Sequence, residues 1–154
     1  MFIERVCQCL LKHQVTYAVV GGHAVALHGA VRGTVDLDLV VAWSQDNLAR
    51  AAQALSELGL VSRLPLNAQD VFSHRDEYIR ERNLIAWNFY NPRRLDEQVD
   101  LIINYDLHAS DRVTLQTRGG PIDIITLDEL IRMKRAAARP QDLLDVEALE
   151  KLPK

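Results

Sequence analysis

Tyr17 to Val41 reads Y-A-V-V-G-G-H-A-V-A-L-H-G-A-V-R-G-T-V-D-L-D-L-V-V, and the fold follows from the order of its parts. An apolar run, Ala18 to Val20, ends in Gly21 and Gly22. An alanine-rich segment from His23 to Val31 follows, and a second apolar run then carries Asp36 and Asp38 at alternate positions. This pattern predicts strand, glycine turn, short helix, strand. Alternate strand residues share a face, so Asp36 and Asp38 point one way and Leu37, Leu39 and Val41 the other. Two carboxylates that close repel unless a proton or cation sits between them. Oxygen ligands at this spacing suit Mg²⁺, taken up with phosphate oxygens and water. Glycines after a strand let the backbone approach a ligand, and the next helix N-terminus offers unpaired N–H groups to phosphate.

The pattern G-G-H-A-V-A-L-H-G-x-x-R-x-T-x-D-x-D-L-V-V resembles the signature of the nucleotidyltransferase superfamily, the polymerase-beta-like fold. Within it the chain is most similar to a small prokaryotic group that includes the toxins of abortive-infection toxin–antitoxin pairs. The resemblance implies an α/β (α+β) domain with a mixed, mostly antiparallel central sheet and helices packed on it. It also implies transfer of a nucleoside monophosphate from an NTP with Mg²⁺ or Mn²⁺. The acceptor would be a hydroxyl of tRNA or protein, and a cognate antitoxin would be a further partner. Relatives with aminoglycoside or polymerase activity usually carry Gly-Ser after the first strand. Gly22 stands here instead, which removes a phosphate hydrogen bond worth about 1 kcal/mol.

At 154 residues the chain is expected to form a single domain, with no Pro/Gly/Ser linker to set off a second. A net charge of -3 disfavours a strong non-specific nucleic-acid binder. The N-terminus is too polar for a signal peptide and no apolar run is long enough to span a membrane, so a cytoplasmic protein is expected. Cys7 and Cys9 diverge around a predicted helix and are expected to be reduced and partly core.

Periodicity predicts a first helix over 2–13, a strand from Tyr17 to Val20 and a helix from His23 to Val31. Gly33 and Thr34 turn into a strand over 35–43. Ser44 and Asp46 are cap candidates for a helix from Asn47 to Leu58, stopped by Gly59. A short strand over 60–64 and one polar helix across 67–83 follow, and Arg75, Arg80 and Arg82 read as its solvated face ahead of any role with RNA or triphosphate. Strands are expected over 84–90 and 98–103, then a hairpin of 112–117 and 121–125 turning on Gly119 and Gly120. Thr126 caps a helix that runs to Pro140, where a last helix begins. His23 and His28 lie five apart and are expected in ordinary packing. Arg32 is read equally as an NTP phosphate contact or as a structural partner of Asp36 or Asp38.

In isolation Asp100 is an acidic residue inside an apolar strand, with Asp106 and Asp111 as turn residues in the loop after it. The resemblance implies that Asp100 is the third carboxylate of the metal site with Asp36 and Asp38, holding the metal that activates the acceptor and taking the acceptor's proton. It implies backbone contacts from Gly21 and Gly22 to the β- and γ-phosphates. It matches Lys134 to an inward lysine that meets the same phosphates, with Asp142 or Asp145 orienting it and Arg139 as a second cation. The competing readings are a non-catalytic binding module of the same fold and a metal-dependent phosphohydrolase.

Overall fold

The computed structural model describes residues 1–33 and 36–153. Its elements are α1 (Phe2–Lys12), β1 (Tyr17–Val20), α2 (Gly21–Leu27), β2 (Leu37–Val41), α3 (Gln45–Glu57), β3 (Val61–Ser62), α4 (Ala68–Ser73) and α5 (Arg75–Arg82). There follow β4 (Ala86–Asn91), β5 (Arg94–Ile102), β6 (Arg112–Thr117), β7 (Gly120–Ile125), α6 (Leu127–Ala137) and α7 (Pro140–Glu150). The strands form one sheet in the order β3-β4-β5-β2-β1-β7-β6. Its four antiparallel pairings and two parallel ones, β1 with β7 and β2 with β5, make the mixed sheet expected from the sequence.

The core follows the pleat. Leu37, Leu39, Val99, Leu101, Trp87 and Phe89 are buried, while Asp38, Asp100 and Asn88, at the intervening positions, are only half-buried. Ile3, Val6, Cys7, Cys9 and Leu10 form the buried stripe of α1, which packs against β7 and α3. Cys7 and Cys9 are both free thiols in this core. The hairpin turn at Gly119 and Gly120 lies so close to α1 that a Cβ at either would overlap Glu4 or Gln8. Ser44 caps α3 by accepting from Asn47 N at 3.1 Å, and Thr126 caps α6 through Glu129 N.

Several boundaries differ from the sequence reading. The helix after β1 begins at Gly21 itself and ends at Leu27: Gly21, at φ +67°, takes the left-handed conformation directly after the extended Val20, and Gly29, at φ +112°, lies just beyond the C-terminal end. The strand expected over 35–43 is Leu37–Val41, and Thr34 and Val35 lie outside the described residues. The polar helix expected across 67–83 is two: Asn67 and Asp70 form a capping box for α4, the chain bends at His74, and Asn83 at φ 52° ends α5. β3 is only two residues long. β5 starts at Arg94, ahead of Gln98, because it pairs back across the turn to Asn91 past an irregularity at Tyr90 and Asn91. Among the described residues no helix is long and apolar enough to cross a membrane.

Candidate active site

The site lies along one row of the sheet. Val20 is paired with Asp38, Asp38 with Asp100, and Asp100 with Asn88, so one row in register crosses β1, β2, β5 and β4. Partners in register point to the same face, which places the Asp38 and Asp100 carboxylates side by side. Asp36 is exposed in a bend just before β2 instead of within the strand, yet near enough to act on Asp38. Burial, then Asp100, then Asp36 push the Asp38 carboxyl up to about 7, against the opposing pull of Lys134 and Arg139. The chemistry of this donor set fits a hard divalent cation, which would relieve the repulsion that the fold builds in.

Gly21 closes one side. Its φ of +67° favours glycine, and a Cβ there would stand 3.1 Å from Asp38 Cγ and closer still to Oδ2. Backbone and carboxylate therefore approach as closely as the chain permits. Gly22 follows, buried, in α2.

Lys134 closes the other side. It is 7% exposed, an uncommon state for an ammonium, and it donates to Asp145 Oδ2 at 2.9 Å and to Asp142 Oδ1 at 3.3 Å. Asp142 also accepts from Arg139 Nε at 2.7 Å, and Asp145 from Gln141 Nε2 at 2.9 Å. Arg32 Nε donates to Asp145 Oδ1 at 3.0 Å. The structural partner of Arg32 is thus on α7, an element that the sequence reading did not connect with it. Burial would raise both aspartates, but the hydrogen bonds and cations around them prevail and hold both below the usual carboxylate range.

Between these walls lies a cleft of about 450 Å³. Gly21, Asp38, Lys134, Arg139 and Asp142 form its polar end, and Ile85, Ile102, Leu130 and Met133 give an apolar wall. Of the two aspartates that the sequence left as alternatives, Asp142 lines the cleft and both hold Lys134.

Other candidates fall elsewhere. Arg75 stacks on Trp43 at 4.1 Å, donates to Ile103 O at 2.6 Å and pairs with Asp106, so it serves the packing of α5. Asp111 accepts from His108 N at 3.0 Å in the turn before β6. His28 hydrogen-bonds Ile125 O at 2.8 Å. Cys9, His13 and Glu57 bring ligand atoms within 4.8 Å of one another, but Lys12 and His13 already occupy the Glu57 carboxylate. Sequence reasoning passed over Asn88. Its signal was a polar residue alternating with Trp87 and Phe89, on the face where the neighbouring strand carries Asp100.

Neither a protein-family model nor a curated protein sequence matches the chain. Solved structures do. The antibiotic-resistance factor ANT(2'')-Ia aligns over 96% of this chain and 80% of its own, at 12% identity and TM-score 0.64. The lincomycin-bound lincosamide antibiotic adenylyltransferase LnuA aligns over 91% and 89%, at 11% identity and TM-score 0.59. A nucleotidyltransferase-like antigenic protein from Paracoccidioides brasiliensis aligns over 96% and 72%, at 20% identity and TM-score 0.58. The chain has the nucleotidyltransferase fold.

Proposed function

We propose that this chain, acting as one domain, is a metal-dependent nucleotidyltransferase that moves a nucleoside monophosphate from an NTP to an acceptor hydroxyl. The observation that carries the reading is the register of Asp38 and Asp100 on adjacent parallel strands, with Asp38 lining a cleft together with Gly21 and Lys134. Asp36, Asp38 and Asp100 would hold Mg²⁺ or Mn²⁺. A bound divalent cation supplies Lewis acidity at the α-phosphate and offsets charge on the phosphate oxygens. Asp100 accepts the proton of the hydroxyl whose oxygen attacks the α-phosphorus. The bond from that phosphorus to the bridging oxygen breaks, and pyrophosphate leaves. Gly21 and Gly22 contact the triphosphate through their backbone. Lys134, Arg139 and Arg32 place positive charge beside the phosphates, with Asp142 setting the orientation of Lys134.

The acceptor is taken as a hydroxyl of tRNA or protein and the role as that of a toxin with a cognate antitoxin, on the H-A-V-A-L-H-G pattern. Fold-mates bound to lincomycin and to adenylyl-2''-tobramycin make a small-molecule hydroxyl the alternative acceptor. The test supplies each α-phosphate-labelled NTP with Mg²⁺ to total RNA, total protein and aminoglycosides, using wild type and Asp38→Ala/Asp100→Ala. Label transferred by wild type alone, with pyrophosphate released, is the expected result and names the acceptor class. Release of inorganic phosphate without transfer points to a phosphohydrolase. Absence of both transfer and NTP binding leaves a binding module.

A further inference from the structure

Asn88 is not needed for the core, since its strand neighbours Trp87 and Phe89 supply the buried face. It sits in the row of the site, paired with Asp100 across β4 and β5. Its Nδ2 donates to Asp100 Oδ1 at 2.8 Å, and its Oδ1 accepts from Arg63 Nε at 2.8 Å. Arg63 N also donates to the Asn88 carbonyl at 3.0 Å, and the guanidinium lies over the Tyr90 ring at 4.4 Å.

The amide has only one way to satisfy both neighbours. A guanidinium has no acceptor and a carboxylate has no donor, so Asn88 must turn its oxygen to Arg63 and its amino group to Asp100. Gln98 agrees with that orientation: its Oε1 takes an N–H of Asn88 at 3.3 Å while its own Nε2 donates to Leu95 O at 3.0 Å. The terminal torsion of an aspartate is otherwise broad. We propose that Asn88, polarised and held by Arg63, is a positioning residue for Asp100. It fixes the carboxylate plane by taking one oxygen and leaves the other to face a cation or the acceptor's proton. The inference rests on the reading of Asp100 as part of the metal site.

The test uses the full chain with Asn88→Leu, which has no donor, and Arg63→Met, which keeps an aliphatic stem over Tyr90. Mn²⁺ affinity is read from the electron paramagnetic resonance signal of free Mn²⁺, alongside thermal melting and the transfer kinetics. Asn88→Leu is expected to weaken Mn²⁺ binding about tenfold and lower kcat by about 10- to 100-fold, with the NTP KM changed less than about threefold. Arg63→Met moves Mn²⁺ affinity the same way by less, because its bond to Asn88 is solvent-exposed. Melting temperatures stay at the wild-type value. Wild-type Mn²⁺ affinity in both variants overturns the inference and leaves the metal site standing. A wild type whose Mn²⁺ affinity is no greater than that of Asp38→Ala overturns the metal site, and the inference with it.

Discussion

Gly21 is the residue on which the geometry of the site turns. It combines a positive φ with a close approach to Asp38, so any side chain there must shift either the backbone or the carboxylate. Gly21→Ala is expected to cost about 1–3 kcal/mol and to abolish Mn²⁺ binding. Denaturant unfolding and Mn²⁺ titration check the two effects separately. Gly33→Ala is the control: a Cβ there meets nothing within 4 Å, and both readouts should match wild type. At this scale much was legible in the sequence. Carboxylates embedded in apolar runs and a glycine pair after a strand announce themselves by their conflict with the pattern around them. Asn88 was hidden because an amide in a strand conflicts with nothing until the pairing of β4 with β5 supplies Asp100.

The α6–α7 pair is tied by charge as well as by apolar contact. α7 buries Val146 and Leu149, but also Asp142 and Asp145 against Lys134. Removing one partner of a buried ionic group strands the others, at a cost of about 3–5 kcal/mol. Arg139, Arg32 and Gln141 remain on the two aspartates, so Lys134→Met should fall near the lower end. Lys134→Met/Asp145→Leu should recover part of the loss, and a double-mutant cycle by denaturant unfolding measures the coupling. The same cluster sets an acid limb. Both aspartates are depressed in the folded state, so their contribution is fully present above the ordinary carboxylate pKa. It is lost as pH falls through that value toward their folded ones. Melting temperature should decline over that window, and Asp145→Asn should flatten the decline. Thr126 and Pro140 mark both helices locally in the sequence, while Lys134 was singled out only by the family resemblance. The sequence did not place Arg32 on Asp145, because that contact exists only once α7 docks.

Across the whole molecule, the two thiols report on the integrity of the core. Burial, with a smaller contribution from Asp123, pushes the Cys7 thiol up to about 11 despite its hydrogen bond with Tyr17, and Cys9 is raised mainly by burial and by Glu57. Neither should react with Ellman's reagent at neutral pH in the native state, and both should react in denaturant. The labelling rate should then follow opening of α1 from the sheet, and prompt native labelling would contradict the packing.

The two parallel pairings at the middle of the sheet carry a last implication. Asp38 finds Asp100 only through β5, and Gly21 faces Lys134 only after α6 has joined. Synthesis runs from the N-terminus, so a nascent chain that has emerged through α5 displays Asp38 with neither its neighbouring carboxylate nor the ammonium. A ribosome-bound or prematurely terminated chain therefore holds the Gly21-to-Asp38 stretch in its sequence but not the cleft beside it, which is assembled only when β5, α6 and α7 arrive.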